Sequence, residues 1–335
     1  MKAKVLASTE GMSREKWLNL RSKGIGGSDA GTIVGVNPYQ SAYALWASKT
    51  GLVPDTFTGN AATEWGNRLE RSVAEAYAEE TNSAVVSWPV MLQGSWDWQL
   101  ANVDFFIVFP SDIFEAGKVT DTKDEPDNII AILECKTTGI VGRGNARGWD
   151  NNMVPPSYYW QGAHYAATTG IYKVVFACLI GSVGLVIRER EYASETLFGL
   201  EQQEYLFWQK VLAKTEPELT GHDSEFDTLK AIYPESTDEA VEVDKSIANL
   251  VSDYRLAKSE LAQVEAKVSA IRVQLEAVIG NAAEATYFGQ TLYTYKSTKP
   301  TLKFDDKTFK SENPDLWAKY ATERPGYRTL RVKGE

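Results

Sequence analysis

The chain has 335 residues, of which 43% are hydrophobic and 24% are charged, a balance that is ordinary for a globular protein with a large core. Its apolar runs are too short to span a membrane and its N-terminus lacks a signal-peptide pattern, so we expect a cytoplasmic protein. Two cysteines and two histidines are too few for a cysteine- or histidine-rich metal site, and the net charge of -10 argues against a protein that coats nucleic acid through its overall field.

A nucleic-acid role would therefore require positive charge that is concentrated in a channel. The candidate residues are Arg21, Lys23, the glycine-rich segment with Arg143 and Arg147, and the C-terminal Arg324, Arg328, Arg331 and Lys333.

A helix followed by a glycine-rich turn comes first in chain order. Residues 13–23 predict a capped helix that contains Arg21, and Gly24-Ile-Gly-Gly-Ser28-Asp-Ala follows it. Ser28 is a suitable N-cap for a short helix through Val34, and the glycines let the backbone approach a ligand closely. Two interpretations fit these residues: a phosphate site at a helix N-terminus beside Arg21, or an ordinary capped turn.

Two further helices are predicted, over residues 41–50 and 60–80. Glu70 lies at the edge of the apolar stripe of the longer helix, with small residues one turn before and one turn after it. This position leaves room for a ligand at the carboxylate. The alternative is a solvated residue that pairs with Arg68 or Arg71.

The next feature is a pair of apolar runs that carry acidic residues. Residues 85–99 predict strands that lead into the run 100–108, which contains Asp104. An acid inside such a strand costs free energy unless it is paired or bound to a metal ion. A second run, residues 128–138, follows an acidic insertion, so we predict a hairpin that places Asp104 near Glu134.

Glu134 and Lys136 end the second run two positions apart, so a strand places both side chains on one face. One interpretation is a salt bridge at the end of the strand, because the same acid-x-Lys pattern occurs elsewhere in the chain. The other is a metal-dependent phosphodiesterase site, in which a carboxylate binds a divalent cation beside an ammonium that holds the attacking water. Asp104 on the adjacent strand favours the metal site.

A glycine- and arginine-rich segment, residues 139–149, leads to a predicted helix over 157–168. Gln161 on this helix is suited to bind a phosphate oxygen or a metal-bound water, or it is an incidental amide at the edge of the core. Strands over 173–180 and 185–192 and a helix from Ser194 follow.

The C-terminal part has a different character. Apolar residues keep a seven-residue repeat over 247–278, which predicts a helix of about five heptads with a coiled-coil seam. We favour packing of this seam within the chain or self-association over a foreign partner. We divide the chain into a core, residues 1–215, and an extension, residues 216–335, with the long helix at about 244–279 and a basic tail.

Five of these motifs occur in a recognisable order. They are Arg21 with Gly24-Ile-Gly-Gly-Ser28-Asp-Ala, Trp65-Gly-Asn-Arg-Leu-Glu70, Ala101-Asn-Val-Asp104, Glu134-Cys-Lys136 and Tyr158-Tyr-Trp-Gln161. Over roughly residues 17–192 the chain thereby resembles the YqaJ-type viral recombinase family, which is similar to phage lambda exonuclease and belongs to the PD-(D/E)XK nucleases. The resemblance implies an α+β (α/β), restriction-endonuclease-like core with a central mixed sheet flanked by helices; the long helix would be an extension of that core.

The resemblance also implies an activity: a 5′-to-3′ exonuclease that degrades one strand of linear duplex DNA from a 5′-phosphorylated end. The remaining 3′ overhang would pass to a RecT- or Red-beta-type single-strand annealing protein. The enzyme would be a ring-shaped homo-oligomer, a trimer or tetramer, encoded by a phage or prophage and located in the host cytoplasm. Its cofactor would be two Mg²⁺ ions, for which Mn²⁺ would substitute.

Carried over position by position, the family pattern assigns roles to individual residues. Glu70, Asp104, Glu134 and the backbone carbonyl of Cys135 would bind the two ions. Lys136 would position the water and complete a catalytic set of Asp104, Glu134, Lys136 and Gln161.

The pattern also supplies DNA contacts. Arg21, Ser28 and Gln161 would bind the 5′ phosphate. Asn102 stands where the lambda-type enzyme has a serine near that phosphate, and Arg143 and Arg147 would line the DNA passage.

Two alternative functions remain open from the sequence. The first is an endonuclease or structure-specific nuclease on the same core. The second is a DNA-end-binding or scaffold module with a vestigial site, against which the intact set of Asp104, Glu134 and Lys136 speaks.

Overall fold

The computed structural model describes residues 2–54, 59–139, 148–181, 183–323 and 326–333. The helices are α1 (Arg14–Arg21), α2 (Gly27–Ile33), α3 (Ala42–Lys49), α4 (Ala61–Thr81), α5 (Pro156–Thr169), α6 (Ser194–Ala213), α7 (Asp223–Ile232), α8 (Lys245–Ile279), α9 (Asp306–Glu312) and α10 (Pro314–Tyr320). The strands are β1 (Lys4–Ser8), β2 (Ala84–Ser87), β3 (Val90–Gln93), β4 (Leu100–Ala101), β5 (Phe105–Val108), β6 (Val119–Asp121), β7 (Ile129–Thr138), β8 (Lys173–Ile180), β9 (Gly184–Glu191), β10 (Glu284–Tyr287) and β11 (Gln290–Thr294).

The chain divides into two compact units, Met1–Tyr233 and Pro234–Glu335. The boundary lies later than the predicted one after residue 215, because α7 packs against α3. Leu229 of α7 contacts the buried cluster that contains Trp46 of α3. The residues after 215 therefore include a helix of the first unit.

A mixed sheet in the order β6-β2-β5-β7-β8-β9 forms the centre of the first unit. The pairs β2/β6 and β7/β8 are parallel, and the other neighbours are antiparallel. A smaller sheet has the order β1-β3-β4. The predicted α+β fold with a central mixed sheet flanked by helices is confirmed.

Strand β7 is apolar on both faces because a helix covers each of them. Ile132 faces a cluster that includes residues of α5, whereas Leu133 faces a cluster that includes residues of α4. Alternation along the strand then directs Glu134 and Lys136 toward the side of Ile132 and Cys135 toward the side of Leu133. The helix α5 and the two charged residues thus share one face of the sheet.

The predicted hairpin of the two acidic runs forms, but its first run is interrupted. Strands β5 and β7 pair antiparallel, with Phe105 opposite Leu133. Residues Leu100 and Ala101 instead pair with β3 in the smaller sheet. Since the chain crosses between the sheets over residues 102–104, Asp104 immediately precedes β5 and does not lie inside a continuous strand.

The second unit contains the predicted long helix, α8, and a hairpin of β10 and β11. Asp244 caps α8, because its side chain accepts hydrogen bonds from the amides of Ser246 and Ile247. Among the described residues of this unit only Ile279 is buried. Nowhere in the described ranges is a helix both long and apolar enough to cross a membrane.

Candidate active site

Glu134 lies on β7, and its side chain is fully buried in the first unit. Its Oε1 atom accepts hydrogen bonds from Lys136 Nζ and Gln161 Nε2, both at 2.5 Å. Its Oε2 atom is buried and has no hydrogen-bond partner among the described residues. The predicted salt bridge with Lys136 is therefore present, and one carboxylate oxygen remains for another ligand.

Asp104 lies beside Glu134 across the β5/β7 pair. Its Oδ2 atom accepts a hydrogen bond of 2.9 Å from the backbone amide of Cys135. Burial raises the pKa of Asp104, although the nearby Lys136 charge and the Cys135 amide oppose the rise. Burial, together with the negative charge of Asp104, also raises the pKa of Glu134 to about 8.

Glu70 belongs electrostatically to the same group. Burial and the charge of Asp104 raise its pKa to about 7, while Lys136 acts in the opposite direction. The alternative partners of Glu70 are engaged elsewhere: Arg68 pairs with Glu64, and Arg71 pairs with Glu75 and Asp121. Glu70 is thus not the paired surface residue that the sequence left open.

Lys136 is the cation of the site. Burial by itself would lower its pKa, but the charges of Glu134 and Asp104 outweigh burial and hold the pKa above its ordinary value. The Lys136 ammonium also lies 4.9 Å from the ring centroid of Tyr158 on α5. Lys136 therefore stays protonated at neutral pH.

Three carboxyl groups beside one ammonium leave an excess of negative charge that protons or a cation must balance. Within the described ranges, no group of three histidine, cysteine, aspartate or glutamate side chains is arranged to hold a metal ion. The donors themselves fit a hard divalent cation, since they are carboxylate oxygens and Glu134 Oε2 is buried without a partner.

A second cluster holds the Arg21 guanidinium. Arg21 Nη1 lies 2.6 Å from Asp29 Oδ2, and Nη2 donates a hydrogen bond of 3.0 Å to Ser28 Oγ. Lys49 Nζ lies 3.0 Å from the same Asp29 oxygen and donates to the backbone carbonyls of Arg21 and Gly24. Burial opposes ionisation of Asp29, but these two cations hold its pKa below the ordinary value.

The predicted N-cap of α2 was wrong in one respect. The helix begins at Gly27 with Gly26 as N-cap, and Ser28 lies within its first turn. The Asp29 carboxylate accepts a hydrogen bond from the Gly26 backbone amide, as the third residue of a helix does in a capping box. Ser28 is consequently exposed and free of a capping role, beside Arg21.

Gly27 joins the two clusters because the backbone there approaches α5 closely. A Cβ atom on Gly27 would lie 2.6 Å from Cε1 of Tyr165 and 3.0 Å from Cγ of Gln161. Gln161 Nε2 also donates to the Tyr165 hydroxyl at 3.1 Å. The turn that carries Arg21 and Ser28 therefore lies against the helix whose glutamine contacts Glu134.

Comparison with known proteins now identifies the family. Residues 16–172 match the model of the YqaJ-like viral recombinase domain. The chain is 30% identical over 327 residues to an uncharacterized protein, YqaJ, of Bacillus subtilis (strain 168), and this match covers 96% of the chain and 95% of the relative. The chain belongs to the YqaJ family. The resemblance seen in the sequence motifs is confirmed.

Among solved structures, an alkaline exonuclease from Laribacter hongkongensis (LHK-Exo) is similar at 16% identity and a TM-score of 0.46, covering 65% of this chain and 97% of that one. LHK-Exo in complex with dAMP is similar at 15% identity with the same TM-score and coverage.

All five YqaJ-family motifs lie inside the matched residues 16–172. The structure brings most of the predicted site residues of this YqaJ-family chain together, from Arg21 and Ser28 to Gln161, Glu134, Lys136 and Asp104. The Cys135 side chain packs into the cluster beside α4, and its backbone amide donates to Asp104.

Other predicted residues of the YqaJ-family site are not brought into it. Asn102 is half-buried, and its side chain donates to the Val90 carbonyl at 3.4 Å. Arg143 and Arg147 lie outside the described residues. Sequence reasoning missed Lys49, which orients Asp29; it ends a helix far from the glycine-rich turn, and no local pattern could have singled it out.

Proposed function

We propose that this YqaJ-family protein is a metal-dependent nuclease that degrades linear duplex DNA from 5′-phosphorylated ends in the 5′-to-3′ direction and leaves a 3′ overhang. The observation that carries the proposal is the convergence of Glu134, Asp104 and Lys136, with Gln161 linking them to the Arg21 turn. A phosphodiesterase needs cation ligands, a positive group and a phosphate contact in one place.

Glu70, Asp104, Glu134 and the Cys135 carbonyl are the residues that would hold two Mg²⁺ ions, with Mn²⁺ as a substitute. The buried Glu134 Oε2 atom without a partner supports this assignment. Bound there, the ions would neutralise charge on the scissile phosphate and lower the pKa of the attacking water.

Lys136 has the role of a positioning cation. In the structure the charges of Glu134 and Asp104 hold its pKa above the ordinary value, so we assign it no role as a general base. Its ammonium instead donates hydrogen bonds that orient the attacking water or a phosphate oxygen. Gln161 fixes one oxygen of Glu134, and the Cys135 amide fixes one oxygen of Asp104.

Arg21 is suited to recognise the terminal 5′ phosphate. One terminal nitrogen of the Arg21 guanidinium donates a hydrogen bond to Asp29, and the other donates to the exposed Ser28 hydroxyl. A phosphate that displaced this hydroxyl contact would receive donors from Arg21 and Ser28. Gln161 would join them only by releasing Glu134 or Tyr165, to which its Nε2 atom donates. A terminal phosphate carries more negative charge than an internal one, so these donors favour a 5′ end.

Digestion of labelled DNA tests this function. With Mg²⁺, the protein should shorten a linear duplex with 5′ phosphates faster than one with 5′ hydroxyls and should leave a covalently closed circle intact. Lys136→Ala and Asp104→Ala should each lose most of the activity. Lys123→Ala is the matched control, because Lys123 has the same acid-x-Lys spacing but pairs with Glu10 on the surface.

Three outcomes would count against the proposal. Cutting of the closed circle would assign an endonuclease, and undiminished digestion by Lys136→Ala would remove Lys136 from the mechanism. Absence of both digestion and Mg²⁺ binding would assign a DNA-end-binding or scaffold module.

We also propose, as the family pattern suggests, that the protein acts as a ring-shaped trimer or tetramer in a bacterial cytoplasm and passes the 3′ overhang to a RecT-type annealing protein. Because the net charge is -10, the positive charge that binds DNA must be concentrated locally. We place it along a DNA passage, for which Arg143 and Arg147 are candidates. Light scattering of the purified protein tests the ring. Co-purification with an annealing protein tests the partner.

A further inference from the structure

Helix α8 carries a long apolar stripe that is exposed. The positions of its seven-residue repeat are Ile247, Leu250, Tyr254, Ala257, Leu261, Val264, Val268, Ile271, Leu275 and Val278, and every one of them is exposed. The stripe is about 46 Å long at 1.5 Å per residue. An apolar surface of this length is typical of an interface and would otherwise promote aggregation.

We propose that α8 pairs with α8 of a second copy of this chain as a two-stranded antiparallel coiled coil in which the two stripes overlap fully. The first residues of the repeat (positions a) are Ile247, Tyr254, Leu261, Val268 and Leu275, and the fourth residues (positions d) are Leu250, Ala257, Val264, Ile271 and Val278. In an antiparallel pair each a position meets a d position of the other helix.

The apolar layers of this arrangement combine large residues with smaller ones. Tyr254 meets Ile271 of the second copy, and Ala257 meets Val268. A parallel pair in register would instead place Tyr254 against Tyr254 and Ala257 against Ala257, which gives one crowded layer and one underfilled layer next to it. Even layers pack at the density of a protein core, and uneven ones do not.

Charge decides the orientation of the helices. The residues that flank the stripe are at positions e and g, which face each other across an antiparallel pair as e with e and g with g. Full overlap brings Glu260 opposite Lys267 of the second copy and Lys258 opposite Glu265, and two-fold symmetry repeats both contacts. All four contacts are attractive.

A parallel pair has the opposite electrostatics. It would bring Glu260 opposite Glu265 and Lys267 opposite Arg272, both of like charge, and only Asp253 opposite Lys258 would be attractive. In the antiparallel pair Arg272 faces an apolar residue and keeps its own partner within the helix, Glu276, at 2.7 Å. The charge pattern therefore selects a second copy in the antiparallel orientation.

Disulfide formation tests the orientation on the full-length protein. In the double variant Ile247→Cys/Val278→Cys the two new thiols of one chain are about 46 Å apart along a helix, too far for a disulfide. A disulfide between positions 247 and 278 must therefore join two chains. The native Cys135 and Cys178 are buried and do not compete. Mass spectrometry of oxidised protein should show the 247–278 link.

Charge reversal gives an independent test by sedimentation equilibrium. Glu260→Lys or Lys267→Glu alone should weaken self-association about tenfold at low salt, because each substitution makes two symmetric contacts repulsive. The double variant should restore the wild-type constant. Ser259→Lys is the matched control, since position 259 faces away from the stripe and should leave the constant unchanged.

Two sets of results would overturn the proposal. Links only between identical positions, or single reversals that strengthen association, would show parallel helices. Absence of any link, with sedimentation unaffected by the reversals, would show that the stripe is covered by its own chain or by another protein. Neither assay measures DNA digestion, so a negative result would contradict the pairing of α8 and not the proposed nuclease activity.

Discussion

At the scale of single residues, Glu134 has two partners of different kinds. Its Oε1 atom makes the ion pair with Lys136 and the hydrogen bond to Gln161, whereas its Oε2 atom is buried without a partner among the described residues. The salt-bridge and metal-site interpretations of the Glu134/Lys136 pattern are therefore compatible. Each uses a different oxygen of the same carboxylate.

The substitution Arg21→Ala should reduce end discrimination more than it reduces metal binding. It removes the guanidinium that Asp29 holds in place, but none of the carboxylates of the metal site. We expect the ratio of digestion rates on 5′-phosphorylated and 5′-hydroxyl duplexes to fall toward one, with the Mg²⁺ affinity from calorimetry within about twofold of wild type. Lys173→Ala, which removes a surface ion pair with Glu189, is the control. Equal digestion of both ends by the wild-type protein would contradict the role of Arg21.

His164 predicts a pH dependence of stability. Its Nδ1 lies 2.7 Å from Glu204 Oε1 and its Nε2 lies 2.9 Å from the Leu100 carbonyl, all of them buried. Both ring nitrogens thus face acceptors, and the nearby Glu204 raises the pKa of His164 although burial opposes it. A raised folded-state pKa gives stability that is fully present below about pH 6.5 and is lost as the pH rises through the folded value.

Urea unfolding between pH 6 and pH 9 measures this effect. The wild-type free energy of unfolding should fall with rising pH, and His164→Gln should make this slope smaller. The slope that remains comes from Glu70 and Glu134, whose raised pKa values act in the same direction. At pH 6 this variant should be destabilised by about 3 kcal/mol, because it leaves Glu204 buried without its cation. The wild-type slope in His164→Gln would show that His164 is neutral in the fold.

At the scale of elements, local patterns predicted most helices and strands but not their tertiary context. The two-residue period of a strand predicts that Glu134 and Lys136 share one face of β7, and the helical period predicts the helix that carries Gln161. The sequence did not show that the run 100–108 forms two strands, because β4 and β5 are equally apolar. In the structure β4 belongs to the smaller sheet and β5 to the central sheet. Trp65 fits the apolar stripe of α4 by spacing, yet it is 58% exposed and contacts the Arg68 guanidinium.

Gly27→Ala tests the contact between α2 and α5. The new methyl group would meet the Tyr165 ring and the Gln161 side chain, so the turn must shift away from α5. We expect a loss of about 1 to 3 kcal/mol in the free energy of unfolding and a larger loss of digestion than of stability alone. Gly199→Ala is the control, because nothing lies within 4 Å of a Cβ atom there and alanine favours the α6 helix. Wild-type digestion by Gly27→Ala would show that this contact does not position the phosphate donors.

At the scale of the whole molecule, the second unit begins with the segment that links α7 to α8. Residues 234–244 are exposed and contain no helix or strand. Limited proteolysis with a glutamate-specific protease should therefore cut first in this segment, at Glu235, Glu239 or Glu242, before it cuts in the helices that flank it. Gel electrophoresis with mass spectrometry identifies the first site. Earlier cleavage at Glu225, which is buried in α7, would contradict the boundary.

The antiparallel pairing of α8 has a consequence for assembly. An antiparallel pair of identical helices requires a two-fold axis between its members, and a closed ring of three copies has none. If the catalytic units form such a ring, each α8 must find its partner in another ring. Two such rings would then be joined by three coiled coils into a particle of dihedral symmetry.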